Sequence, residues 1–393
     1  MEKVKKIIKD VEKNGDKAVK KYTEIFDKQK LSRLEVTKKE IKEAYKKVDK
    51  ETLKALKKAL SNIKRFAKEQ KKQYKDFKYE KDGVTLGQKV VPLERVGVYV
   101  PGGNYPLPST ALMCITPAKV AGVKEIIVCS PKIVPTTIVA ADFAGADKIY
   151  RIGGVQAIAA LAKGTRAIPK VDKIVGPGNA YVTAAKKEIF GKTGIDLLAG
   201  PSEVLIITDN NADAKFVAAD LLAQAEHDVE AKIVLVSSSK QKIKEIEKEI
   251  KDQLKELSTK DIIKESLKNK EVIKVKSIKE AIEVANKKAP EHLEVQVKNP
   301  EKYLKDFKNY GSLFLGGYSG VVFGDYCSGT NHVLPTEGAA RYTGGLSVKD
   351  FLKVLTYQKL TKKGAKSLNK TVIKMASVEG LEAHRRSAEI REE

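Results

Sequence analysis

RVGVYV (95–100), STALMCITPAKVAG (109–122), EIIVCS (125–130), TTIVAADFAGA (136–146), KIYRIG (148–153), VQAIAALAKG (155–164), KIVGPG (173–178) and AYVTAAKKEIF (180–190) follow one another through the middle of the chain. Every second segment is a short apolar run, and the segments between are longer, Ala-rich and spaced as helices. This is βαβ repetition, which predicts a parallel sheet with helices on both faces. A second series begins at SEVLIIT (202–208) and passes through LLAQAEHD (221–228), KIVLVSS (232–238), EVIKV (271–275) and HLEVQV (292–297) to GSLFLG (311–316). The expected fold is α/β, with two doubly wound, Rossmann-like parallel-sheet domains.

The flanks differ. Before residue 84 the chain is charged and helical: VKKIIKDVEKN stops at Gly15, Thr37 and Glu40 have capping-box spacing, and a long helix runs from about Lys50 to Tyr74. After about residue 338 the chain is polar and then helical, and it reads as an appended C-terminal tail. With 393 residues, two or three domains are expected.

Composition narrows the function. No apolar run approaches the ~18 residues of a membrane span, and the N-terminus lacks the apolar stretch of a signal peptide. A cytoplasmic protein without a membrane partner is expected. Cys114, Cys129 and Cys327 lie far apart with no CxxC spacing, which argues against a disulfide framework and a cysteine-only zinc site. Net charge is +24, from 75 basic against 51 acidic residues. A nucleic-acid reading has local support in KEQKKQYKDFKYEK (68–81), where Tyr74, Phe77 and Tyr79 interleave with lysines. Lysines, however, are spread through almost every segment, and nucleic-acid binding needs a focused patch. The excess reads as a solvated Lys/Glu surface, and no nucleic-acid partner is expected.

Three glycine-bearing βα loops bear on a cofactor: VPGGNYPLPST (100–110), IGGVQ (152–156) and GPGN (176–179). They line the C-terminal edge of one sheet, the usual ligand crevice, with N–H groups at helix starts. None completes GxGxxG, since Tyr181 stands where GPGNAY needs its third glycine.

Only four histidines occur, each in a polar setting. Gln224 and His227 in QAEHD are three apart and share a helical face. Glu291 and His292 in APEHLEV offer two titratable groups of different pKa, as acid/base work requires. Asp325 and His332 lie in GDYCSGTNHVLPT, a stretch composed like a binding loop. His384 lies on a helix after Gly380. Histidines, a carboxylate and an amide oxygen suit zinc or a similar divalent ion. On residue types alone a metal hydrolase serves equally well, and the basic charge keeps an RNA-binding alternative open.

Read together, these segments resemble the histidinol dehydrogenases. GVYVPGG, GGVQAIAALAKGT, KIVGPGN, DLLAGPSEVLI, LLAQAEHD, APEHLE, GDYCSGTNHVLPT and EGLEAHRRSAEIR carry the resemblance, in order, from residue 95 to 391. It implies oxidation of L-histidinol to L-histidine through a bound aldehyde with two NAD+ and one zinc per subunit. It also implies zinc ligands Gln224, His227, Asp325 and His384, and Glu291 with His292 as the acid/base pair. Substrate contacts are implied at Ser202 and Glu379, with His332 as a further candidate, and NAD contacts at Tyr99, Gln156 and Asn179. Zinc-bound substrate would also meet Gln224, His227, His292, Asp325 and His384. The implied domains are residues 1–99 with 204–338, an inserted NAD-side domain at 100–203, and a tail at 339–393 that crosses to the partner of a homodimer. Two departures stand out: a short N-terminal extension found in some members is lacking, and Cys327 sits beside Asp325 where alanine is commoner.

Overall fold

In the computed structural model, which describes residues 1–102 and 105–392, the N-terminal region is three helices, α1 (Glu2–Asp27), α2 (Lys38–Lys47) and α3 (Lys50–Lys71). Gly15 breaks α1 at φ 52°, so the ends of the helix meet and Lys3 Nζ lies 5.3 Å from the Phe26 ring centroid. Thr37 and Glu40 form the expected capping box on α2. A hairpin follows, β1 (Phe77–Lys81) and β2 (Val84–Pro92), turning on Asp82-Gly83. Both turn residues have positive φ, as a two-residue hairpin turn demands.

The first expected βαβ series is β3 (Arg95–Tyr99), α4 (Pro108–Ala121), β4 (Glu125–Cys129), α5 (Pro135–Ala144), β5 (Lys148–Tyr150), α6 (Gly154–Lys163), β6 (Lys173–Val175), α7 (Ala180–Ile189) and β7 (Gly194–Ile195). Its sheet is parallel, in the order β5-β4-β3-β6-β7. The second series is β8 (Glu203–Thr208), α8 (Ala214–Ala225), β9 (Lys232–Ser237), α9 (Lys240–Gln253), α10 (Lys260–Ser266), β10 (Glu271–Lys274), α11 (Ile278–Lys288), β11 (His292–Gln296), β12 (Ser312–Leu315) and α12 (Val321–Tyr326). It repeats the pattern, again parallel, as β10-β9-β8-β11-β12. The central strands β3, β8 and β11 are buried on both faces, which is why they read as near-continuous apolar runs.

The packing divides the chain elsewhere than the implied boundaries. Helix α1 packs on α6 and α7, α2 on α5, and α3 on α4, because Val4, Ile7, Val11 and Val19 share one core with α6 while Leu56 and Ile63 share another with α4. Strand β3 is the centre of the first sheet. Residues 1–71 and 95–99 thus pack on the 100–203 unit, while α3 also touches the 204–338 segment, where Asn62 Nδ2 donates to Cys327 O at 2.7 Å. The tail also differs from a purely helical one. It opens with β13 (Leu352–Leu360), which pairs antiparallel with β2 from Leu352 opposite Pro92 to Leu360 opposite Val84, and only then forms α13 (Lys362–Val378) and α14 (Glu382–Glu389). Sequence patterning hid β1 and β13 because both are largely exposed and lack an apolar face.

One buried ion pair fixes the loops at the sheet edge. Lys186 of α7 and Asp196 are almost inaccessible and in contact; Lys186 Nζ also donates to Gly176 O (3.0 Å), while Asp196 accepts from the Gly176 and Leu197 amides at 2.7 Å. Gly176 itself has φ 112°, and a Cβ there would lie 2.1 Å from Tyr99 O. Breaking one partner of such a pair strands a charge. Lys186→Met should therefore lower the unfolding free energy by about 3–5 kcal/mol in urea titrations. Adding Asp196→Asn should restore part of that loss, and equal losses in the single and double variants would refute the pairing.

Candidate active site

A cleft of about 410 Å³ opens beside the C-terminal ends of β3 and β6, where the strand order reverses and ligands of open α/β sheets bind. Tyr99, Gln156 and Asn179 all line it. Tyr99 ends β3, and its hydroxyl accepts from the Gly154 amide at 3.1 Å; burial pushes its pKa up to about 12. Asn179 caps α7 through Oδ1, which accepts from the Tyr181 and Val182 amides at 3.1 Å. Gln156 is fully buried at the start of α6, and neither its Oε1 nor its Nε2 finds a partner among the described residues. A buried amide with both ends unsatisfied is rare in a protein interior and marks a place for a ligand. Part of the first glycine loop, residues 103–104, lies outside the described residues.

The second group of side chains gathers at the N-terminal edge of the other sheet. Parallel pairing sets His292 of β11 opposite Val204 of β8, and this register brings the Glu203 main chain against the Glu291–His292 pair. The Glu203 amide donates to Glu291 Oε2 at 2.8 Å, and the Glu203 carbonyl lies 2.9 Å from His292 Nδ1. A carbonyl only accepts, so Nδ1 carries the proton and neutral His292 keeps Nε2 free as a base. Nε2 has no hydrogen-bond partner among the described residues and lies 3.4 Å from Asp325 Oδ1. Both members of the adjacent pair thus reach one site, Glu291 from the residue before the strand and His292 from its first position.

Asp325 stands on α12 rather than in an irregular loop. Its carbonyl accepts from His332 Nδ1 at 2.8 Å, and the other His332 nitrogen lies 3.1 Å from Thr110 Oγ1 of α4. His332 is thereby engaged at both nitrogens and ties the two sheet units together. Gln224 is buried on α8 with Nε2 unpartnered, and His227 follows the end of that helix within electrostatic reach of Asp325 and His292. Ser202 immediately precedes β8, next to Glu203.

Burial dominates the electrostatics. It pushes Glu291 up to about 7, against the opposing pull of His292 and the Glu203 amide. Burial pulls His292 down, but the Glu291 and Asp325 carboxylates override it and raise the imidazole to about 9. Burial would raise Asp325, yet the His292, His332 and His227 imidazoles hold its carboxyl below the ordinary value. Burial lowers His227 and His332.

Glu379 and His384 stand apart. They are exposed on the tail, Glu379 ending α13 and His384 on α14, outside this cluster. Among the described residues no three His, Cys, Asp or Glu side chains of one chain converge tightly enough to hold a metal ion. Sequence reading missed the roles of Glu203 and Thr110. The available signal for Glu203 was a carboxylate heading an otherwise apolar strand.

A family model for histidinol dehydrogenase matches residues 1–392. A histidinol dehydrogenase of Methanocaldococcus jannaschii is 50% identical over 97% of this chain and 90% of its own length. That of Clostridium acetobutylicum is 50% identical over 99% and 91%. The crystal structure of histidinol dehydrogenase from Elizabethkingia anophelis superimposes with a TM-score of 0.95 at 40% identity, covering 99% of this chain and 91% of that one. With the sheet order, the cleft and the clustered Glu291, His292 and Asp325 beneath these matches, the chain belongs to the histidinol dehydrogenase family of oxidoreductases.

Proposed function

We propose that this protein oxidises L-histidinol to L-histidine through a bound L-histidinaldehyde, in two hydride transfers to NAD+, at a zinc site shared between the subunits of a homodimer. The observation that carries this reading is the buried Glu291–His292 pair, held by the main-chain N–H and C=O of Glu203, with Nε2 of His292 left without a hydrogen-bond partner among the described residues. Thr110, on the helix after β3, touches His332 of the other unit, so the cluster's sheet edge faces the edge that bears the cleft. NAD+ in the cleft supplies the hydride acceptor, and the unsatisfied Gln156 amide, with Tyr99 and Asn179, suits its polar groups.

Gln224, His227 and Asp325 offer an amide oxygen, an imidazole and a carboxylate on neighbouring elements. One chain leaves that set short of a fourth donor, which His384 of a second copy would supply. Gln224, His227 and Asp325 would hold a divalent cation, which would supply a charge anchor for the amine and imidazole of the substrate. His292 then removes the alcohol proton as hydride leaves the adjacent carbon. Glu291, poised near neutrality, takes a proton from the water that adds to the aldehyde while His292 returns its proton to the aldehyde oxygen, and His292, again neutral, removes a proton from the resulting diol as the second hydride leaves. Ser202 and Glu379 complete the substrate contacts.

NADH absorbance, with histidinol or with histidinaldehyde as substrate, tests the division of labour. Glu291→Gln should slow aldehyde oxidation about 10²-fold or more while sparing alcohol oxidation, and His292→Asn should damage both. Chelation should abolish turnover and zinc should restore it. Equal losses in both half-reactions for Glu291→Gln would contradict the assignment.

The pKa values set a pH dependence of stability in metal-free protein. Glu291 rises from 4.5 to about 7 and His292 from 6.5 to about 9. Both folded values are raised, so the stabilisation is complete below the unfolded values and is lost as pH climbs through about 7 and about 9. Between pH 6.5 and 9.5 the unfolding free energy should fall by on the order of 4 kcal/mol. A His292→Asn variant should lose much less over that range, and an unchanged slope would exclude His292 as the source.

A shared site predicts complementation. His227→Ala and His384→Ala homodimers should each be inactive. After subunits re-assort at random, half the dimers are mixed and half their sites are whole, so about a quarter of wild-type activity should return. With exchange verified by a mass tag, no recovery would mean that His384 serves its own chain.

A further inference from the structure

Asp27, the last residue of α1, lines the same cleft as Tyr99, Gln156 and Asn179. Its carboxylate is half-buried, and no donor among the described residues reaches the inaccessible Oδ2. Burial raises its pKa, opposed only by the more distant charge of Lys132. Such an oxygen is costly unless a hydrogen-bond donor arrives. Two cations, Lys3 and Lys132, also line the cleft. Lys132 keeps φ at 45°, in the left-handed region that a residue with a side chain holds only where its surroundings impose it.

We propose that Asp27 selects the nucleotide, its carboxylate accepting the hydroxyl hydrogens of a ribose and rejecting a ribose that carries a 2′-phosphate. This rests on the reading of the cleft as the dinucleotide site. Carboxylate recognition of a ribose diol is general chemistry of dinucleotide-binding sheets, where the acid ordinarily follows the second strand. Here it comes from outside the sheet, on the helix that the Gly15 break folds back over α6 and α7. A 2′-phosphate would bring negative charge against a carboxylate with no cation bonded to it. Lys3 and Lys132, which line the same cleft, would draw the negative charge of either nucleotide. Tyr99 feels the Asp27 charge, which sets the carboxylate beside the residue that ends β3.

The test is direct titration of the zinc-loaded protein with NADH and with NADPH, followed by nucleotide fluorescence, for wild type, Asp27→Asn, Asp27→Ser and Gln156→Leu. Wild type should bind NADH at least about 100-fold more tightly than NADPH. Both Asp27 variants should weaken NADH about 10-fold or more, the range expected on removing a hydrogen bond to a charged group. They should also bring the two nucleotides within about 10-fold of each other. Gln156→Leu should weaken both nucleotides alike. If Gln156→Leu weakens binding while the Asp27 variants keep the wild-type preference, Asp27 is not the selector and the cleft reading stands. If no variant alters NADH binding, the nucleotide lies elsewhere and both statements fall.

Discussion

The Glu203 peptide carries more of the site than any side chain. Its N–H and C=O lie on the same side of β8, as for any strand residue, and the parallel register with β11 hands one to Glu291 and the other to His292. A one-residue slip would turn every side chain of β11 to the other face and dissolve both bonds. Register is protected by the core itself, since Leu205, Ile207, Leu293 and Val295 share one buried cluster. Glu291 and His292 are thus aligned by the hydrophobic core of the sheet. The Glu203 side chain adds a brace, accepting from Lys232 Nζ at 2.9 Å and from the Glu337 amide at 3.1 Å.

Two sheets with the same strand order are used at opposite ends. The cleft occupies the C-terminal edge of the first sheet, where loops after strands converge, whereas the titratable cluster occupies the N-terminal edge of the second. Hydrogen bonds from one unit to the other close the gap: Asn331 Nδ2 donates to Met113 O at 2.7 Å and the Gly200 amide to Thr336 Oγ1 at 2.6 Å. This arrangement keeps the cleft and the titratable cluster on separate sheets. It also dries the interface, where Glu291 and His292 are buried, and low dielectric is what shifts both pKa values so far.

Legibility in the sequence followed burial. Strands β3, β4, β8, β9 and β11 announced themselves because they are largely buried, and the glycine-bearing loops fall at the C-terminal edge of the first sheet as their spacing predicts. Strands β1, β2 and β13 did not, since a half-exposed antiparallel sheet of mixed residues has neither the alternation nor the apolar run that pattern reading uses. Asp325 was legible as a candidate but not as a helical residue, because α12 is only six residues long and sits among turn formers. The contribution of Glu203 is made largely by its backbone, which composition does not encode. The capture of α1–α3 by the first sheet was equally invisible, since amphipathic periodicity tells that a helix buries a face and not against what.

The tail is where one chain is visibly incomplete. Strand β13 is an edge strand nine residues long with Val354, Leu355 and Tyr357 exposed, and proteins ordinarily blunt or cover such edges. Helix α13 adds Leu368, Val372, Met375 and Val378 to the exposed apolar surface. The tail is not unfolded, for Asn369 Nδ2 donates to Ala388 O at 3.1 Å and the Leu381 amide to Ala376 O at 2.9 Å, locking α13 and α14 into a hairpin. A segment ordered within itself but apolar on its outer side is built to be covered. A two-fold arrangement of identical chains would cover both tails with one contact type, and it is the arrangement that the proposed sharing of His384 between subunits needs.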